Sequence, residues 1–169
     1  MKILFIEDEQ VFNDAYHYIV KIWREKGLTI SKILPPIHDL QSAKDEINKW
    51  KENPDCIPNL IFLDIILPKT KEDYLSIQNE TPSLDDKRLE QLAGIEVFEE
   101  ISNFCKDKQK NISIIILTAN YRLPLEARKV LLERESLKVY WADKPFIPED
   151  VAEMLFPSLK ADGKFFNHS

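Results

Sequence analysis

Glycine is nearly absent from this chain: Gly27, Gly94 and Gly163 are the only three among 169 residues. No glycine-rich loop is therefore available to cradle the phosphates of a nucleotide. Cysteine is as scarce. Cys56 and Cys105 form neither a disulfide framework nor a metal-like pair, and reduced cytosolic thiols are expected. The three histidines, His17, His38 and His168, are scattered, without ligand spacing or a neighbouring Ser or Cys nucleophile, so surface or core roles are expected of them. Positive charge is in deficit as well. With 23 Lys and Arg against 29 Asp and Glu the net charge is −6, which offers no basic stripe to nucleic acid or anionic lipid. No apolar run approaches a membrane span, and the first strand begins too early for a signal peptide. A soluble, cytoplasmic domain is expected.

What the chain does hold is a core: 44% of its residues are hydrophobic, and many fall in short runs. The run that organises the rest is Leu60-Ile61-Phe62-Leu63-Asp64-Ile65-Ile66-Leu67-Pro68. Apolar residues on both sides of one carboxylate, stopped by proline, predict a buried strand of a parallel sheet over 59–67. An Asp in such a place is costly unless it meets a cation or hydrogen-bonding partners at the strand end.

The remaining segments alternate. Residues 2–6 predict a first strand ending in Glu7-Asp8-Glu9, followed by an amphipathic helix on Val11, Phe12, Ala15, Tyr18, Ile19, Ile22 and Trp23, stopped by Gly27. A weaker strand is expected over 28–34, closed by Pro35-Pro36. Asp39 suits the cap of a second helix through Leu40, Ala43, Ile47 and Trp50. A third helix carries Leu89, Leu92, Ile95, Phe98, Ile101 and Cys105 on one face. A fourth strand, 112–117, ends in Thr118-Ala119. Pro124 opens a fourth helix with Leu125, Val130, Leu131 and Leu132. A short fifth strand over 138–141 precedes Asp143-Lys144-Pro145-Phe146, and Pro148-Glu149-Asp150 opens a last helix through Val151, Met154 and Leu155. Strands alternating with helices read as one doubly wound α/β layer over residues 1–160, with a frayed tail at 161–169.

In such sheets the functional crevice lies beyond the carboxyl ends of the strands. Glu7 and Asp8 follow strand one, Asp64 lies in strand three, Thr118 ends strand four and Lys144 follows strand five. Three carboxylates on one rim would repel one another unless a hard cation sat between them, and oxygen-only ligands suit Mg²⁺ better than zinc or a caged Ca²⁺. A carboxylate beside Mg²⁺ can attack a phosphoryl group and become an aspartyl phosphate; Lys144 would supply the opposing cation and the Thr118 hydroxyl a further donor.

At these residues the chain resembles, from end to end, the receiver domain of two-component response regulators. The matching motifs are Ile6-Glu7-Asp8-Glu9, Leu63-Asp64-Ile65-Ile66-Leu67-Pro68, Leu117-Thr118-Ala119 and Lys144-Pro145-Phe146. The resemblance implies a flavodoxin-like, five-stranded parallel sheet of order 2-1-3-4-5 with helices on both faces. It implies that Asp64 takes phosphate from a histidine kinase or histidine phosphotransfer protein. Glu7, Asp8, Asp64 and the Ile66 carbonyl would hold Mg²⁺, and Thr118 and Lys144 would bind the phosphoryl group. It also suggests a cis bond before Pro145. Partners would meet the face formed by the fourth helix, fifth strand and last helix, including Arg122, Arg128, Tyr140 and Trp141.

Glu7 stands where Asp is commoner in that family, which leaves metal binding intact. Trp141 stands where Tyr or Phe is usual for the switching ring; the larger ring either biases the switch or stays at the partner surface. Ile66 and Asn120 stand two beyond the acceptor and the Thr, positions that help set in that family how readily water attacks; Ile66 offers no group to orient water, so slow autodephosphorylation is expected. The connection at 69–93 is far longer than the roughly two to six residues usual there. Ser83-Leu84-Asp85-Asp86 reads as a capping box, which predicts that the third helix starts near Leu84 and that 69–82 form a mobile lid. Such an insertion could gate kinase access, slow hydrolysis or make a dimer contact. A stand-alone receiver without output domain is the expected function. The alternative is a receiver-like binding module that is not regulated by phosphorylation. An enzyme proper, such as an aspartate-nucleophile phosphatase, is disfavoured because the first strand ends in Glu7-Asp8-Glu9 rather than in an Asp pair two residues apart.

Overall fold

Strand β1 (Lys2–Ile6) sends its side chains alternately to two separate cores, and this alternation fixes the architecture. Leu4 and Ile6 join Ile61, Leu63, Ile114 and Ile116 beneath Trp50, Phe98 and Phe104. Ile3 and Phe5 join Leu60, Phe62, Ile115 and Leu117 beneath Tyr16, Trp23 and Val151. Strands buried on both faces must be covered by helices on both faces. The computed structural model describes residues 1–8, 10–73, 92–118, 129–131, 137–144 and 148–156. Its sheet is parallel, adds β2 (Lys32–Ile33), β3 (Leu60–Asp64), β4 (Ser113–Thr118) and β5 (Lys138–Asp143), and runs in the order β2-β1-β3-β4-β5. This is the predicted doubly wound, flavodoxin-like arrangement.

Helix α1 (Gln10–Glu25) ends where Gly27 takes a φ of 89° and the Leu28 N–H donates to the Trp23 carbonyl at 3.0 Å. Its buried stripe is Tyr16, Ile19, Val20 and Trp23, so the expectation for Tyr18 is corrected: that ring is 62% exposed. Helix α2 (Leu40–Glu52) is capped as predicted, with Asp39 accepting from the Ser42 N–H at 2.8 Å and from its hydroxyl at 2.7 Å. Helix α3 (Ala93–Lys108) covers the same face as α2, and the last helix, Pro148–Leu155, lies with α1 on the other. Residues 129–131 are helical, within the expected fourth helix. Among the described residues no helix is long and apolar enough to cross a membrane.

Several predicted boundaries move. The second strand shrinks from 28–34 to Lys32–Ile33, with Pro35 and Pro36, which lack N–H donors, just beyond its end. The chain nevertheless keeps its register, since Leu34 N–H donates to the Ile3 carbonyl and Ile37 N–H to that of Phe5. Strand β3 stops at Asp64 rather than 67, because the Asp64 side chain accepts the Ile66 N–H at 3.0 Å and turns the backbone out of the sheet. Strand β5 runs on to Asp143, paired with Thr118.

The third helix starts at Ala93, not near Leu84. Leu92 makes an isolated parallel bridge to Leu67, and a backbone committed to that pairing cannot continue a helix. The capping box at 83–86 and Leu89 lie outside the described residues. The expected lid does not begin at 69 either. The Pro68 and Lys69 carbonyls accept from the Leu40 and Gln41 N–H groups at the start of α2. Thr70 and Asp73 then close a helical turn: the Asp73 carboxylate accepts from the Thr70 N–H (3.0 Å) and hydroxyl (2.9 Å), and the Asp73 N–H donates back at 3.1 Å. Residues 74–82 and the tail at 161–169 lie outside the described residues.

Candidate functional site

Three strands deliver charge to the carboxyl edge of the sheet. Glu7 leaves β1 with its backbone held on both sides: its N–H donates to the Ile37 carbonyl at 2.8 Å, and its own carbonyl accepts from His38 Nδ1 at 2.7 Å. Asp64 is the last residue of β3, and Lys144 directly follows β5. All three side chains are buried, Glu7 completely.

Lys144 joins the two acids. Its Nζ lies 2.6 Å from Asp64 Oδ2 and 2.5 Å from Glu7 Oε2. Burial alone would drive the lysine pKa down; the charges of Asp64 and Glu7 and the hydrogen bonds to both outweigh it and hold the pKa above the ordinary lysine value. Asp8 completes the group, with carboxylate oxygens of Glu7, Asp8 and Asp64 all within 4.8 Å of one another. Three carboxylates around one ammonium leave two formal negative charges, the complement of a divalent cation. The donors are all oxygen, which fits Mg²⁺.

Glu7, Asp8, Asp64 and Lys144 are thus brought together at the edge where the sequence reading expects them. Thr118 ends β4 one position beyond the Leu117 that pairs with Asp64, so its backbone stands at the same edge. Its side chain, with Asn120, Arg122, Arg128 and the bond before Pro145, lies outside the described residues. Ile66 sits two residues past Asp64 and gives its N–H to the Asp64 carboxylate. Trp141 is half-buried against the core on the α2 and α3 face, and its indole N–H is buried with no hydrogen-bond partner among the described residues.

Three contributors escape the sequence reading. The Tyr16 hydroxyl donates to Glu7 Oε2 at 3.0 Å; the spacing of Tyr16 with Ile19, Val20 and Trp23 could have revealed its inward face. His38 anchors the Glu7 carbonyl through a contact that no local pattern signals. Gly94 permits the close approach of α3 to the end of β3. Its N–H donates to the Ile65 carbonyl at 3.0 Å, and a Cβ there would lie 2.1 Å from the Asp64 carbonyl oxygen.

Fold and site together define a doubly wound α/β protein with an acidic, lysine-bridged cluster at the carboxyl edge of its sheet. The fold is that of the receiver domains of response regulators. The chain is similar to a signal receiver domain from Vibrio parahaemolyticus, at 17% identity and a TM-score of 0.53, over 99% of this chain and 98% of that one. It is similar to a two-component response regulator from Cytophaga hutchinsonii, at 14% identity and a TM-score of 0.53, over 95% and 96% of the two chains. It is also similar to the bacteriophytochrome response regulator RtBRR, at 20% identity and a TM-score of 0.51, over 99% and 80%. No protein-family model and no curated protein matches the sequence.

Proposed function

We propose that this chain is a response-regulator receiver in which Asp64 accepts a phosphoryl group from a histidine kinase or histidine phosphotransfer protein. The observation that carries the reading is Lys144 held between the buried carboxylates of Asp64 and Glu7, with Asp8 beside them. A structural ion pair needs one carboxylate; a phosphoryl-accepting site needs a nucleophile, a cation and an acidic pair for a metal. Glu7, Asp8 and Asp64, with the Ile66 carbonyl, would hold Mg²⁺, which would supply charge neutralisation for the phosphoryl oxygens.

The residues of the chain do the rest. An Asp64 carboxylate oxygen bonds to phosphorus as the P–N bond of the donor phosphohistidine breaks, and the departing imidazole nitrogen takes a proton from solvent. Lys144 donates to a phosphoryl oxygen and balances the added charge. Thr118 is assigned a further phosphoryl contact. Ile66 brings no group to orient an attacking water, so the aspartyl phosphate is long-lived. The chain is then a phosphoryl acceptor that promotes its own phosphorylation and dephosphorylation, rather than an enzyme acting on a separate substrate. It serves as a relay intermediate or as a partner-binding switch through the surface of the fourth helix, the edge strand β5 with Tyr140 and Trp141, and the last helix.

The test is incubation of the purified chain with Mg²⁺ and acetyl phosphate, followed by intact mass. A gain of one phosphoryl group, abolished by Asp64→Asn, supports the reading. Absence of both phosphorylation and Mg²⁺ binding would replace it with the binding module that phosphorylation does not regulate.

A further inference from the structure

The hydroxyl of Tyr16 reaches into the acidic cluster from α1 although nothing in the proposed chemistry calls for it. The residue is 1% exposed, and its OH donates at 3.0 Å to Glu7 Oε2, the oxygen that Lys144 Nζ approaches at 2.5 Å. The ring has little freedom. It is stacked on Phe5 with centroids 4.2 Å apart and planes 6° apart, and it is tilted against Phe62 at 5.8 Å. The hydroxyl is therefore a fixed point delivered by the core.

Glu7 is the side chain that needs one. Its backbone is tied by Ile37 and His38, but a glutamate carries one more rotatable bond than an aspartate, and so more orientations of its carboxylate. A buried carboxylate with two donors on the same oxygen has its plane set by them. We propose that Tyr16 is a positioning residue for divalent-cation binding: its hydroxyl fixes the orientation in which the longer Glu7 side chain presents its carboxylate beside Asp8 and Asp64. This rests on the reading of the cluster as a cation site. Outer partners of metal ligands act in this way, and their loss typically weakens metal binding by roughly 10- to 100-fold.

The experiment is calorimetric titration of the full chain with MgCl₂, comparing the original protein with Tyr16→Phe, Glu7→Asp and the double variant. Tyr16→Phe keeps the stacked ring, and thermal unfolding in metal-free buffer checks that each variant is folded. The expected result is an approximately tenfold or larger rise in Kd for Tyr16→Phe. In the Glu7→Asp background the shorter acid no longer reaches the hydroxyl, and the same change is expected to alter nothing. An unchanged Kd for Tyr16→Phe, with the original chain binding Mg²⁺, overturns the role of Tyr16 and leaves the cation site standing. An equal loss in both backgrounds also overturns it, because the effect would then come from packing. A chain that binds no Mg²⁺ in its original form overturns the cation site and this inference together.

Discussion

Lys144 Nζ and Asp64 Oδ2 lie 2.6 Å apart although 80 positions separate the two residues in the chain. The same ammonium reaches Glu7, so one cation from the end of β5 closes a ring of charge across β1 and β3. Removing one member of a buried ion pair leaves the others uncompensated, at a cost of about 3–5 kcal/mol. Lys144→Met is therefore expected to lower stability by about that amount in metal-free buffer, and added MgCl₂ to restore much of it. Urea unfolding with and without the metal measures both effects. Equal midpoints for the variant and the original chain without metal would contradict this account.

Gly94 lies against the exit of β3 through its missing side chain. With a Cβ placed 2.1 Å from the Asp64 carbonyl oxygen and 2.6 Å from the Ile65 Cα, Gly94→Ala must push α3 off the exit of β3 or displace Asp64. Both contacts are backbone, so no rotamer change relieves them. A loss of about 3 kcal/mol or more is expected, with slower phosphorylation by acetyl phosphate in whatever folded fraction remains. Denaturant midpoints and intact mass over time would show it.

The parts of the fold that are legible in the sequence are those fixed locally. Apolar runs of strand length, Asp39 before an amphipathic stretch and polar residues at successive strand ends each carry their own signal. Alternation of strand and helix then suffices to put Glu7, Asp8, Asp64 and Lys144 on one edge. What escapes is decided by contacts between distant segments. The apolar stripe of the third helix continues backwards through Leu92, yet Leu92 is claimed by a bridge to Leu67. Tyr16 and Tyr18 are chemically identical; the stripe of Tyr16 with Ile19, Val20 and Trp23 marks the inward ring, but its contacts with Phe5 and Phe62 are decided by packing alone. Likewise, the sequence shows that Lys144 can serve Asp64, but not that it also holds Glu7.

Alkaline pH should expose two buried groups in turn. Desolvation on the inner face of α3 pushes the Cys105 thiol from 9.0 up to about 11, the hydrogen bond from the Ile112 backbone offsetting part of the effect. At pH 8.5 a thiol reagent should label half-buried Cys56 readily and Cys105 only after unfolding. A pKa raised by folding contributes stability that is complete below the unfolded value and is lost as pH climbs to the folded one. Stability should therefore fall between pH 9 and about 11 because of Cys105. Lys144, raised above 10.5, adds a loss of the same sign at higher pH. Unfolding midpoints across this range check the slope, and Cys105→Ala should remove its first part.

The bridge between Leu67 and Leu92 has a consequence for how this protein can vary. It brings together the two ends of the stretch over 68–91, like the neck of a purse. The entropy of closing a loop grows only with the logarithm of its length, about 0.6 kcal/mol for each doubling. With its neck secured by the bridge, and by α3 seated on Ile65 through Gly94, a change in the length of the stretch costs little in closure entropy. Strand β3 ends at Asp64, before this neck begins. A change of length there therefore need not disturb the position of Asp64.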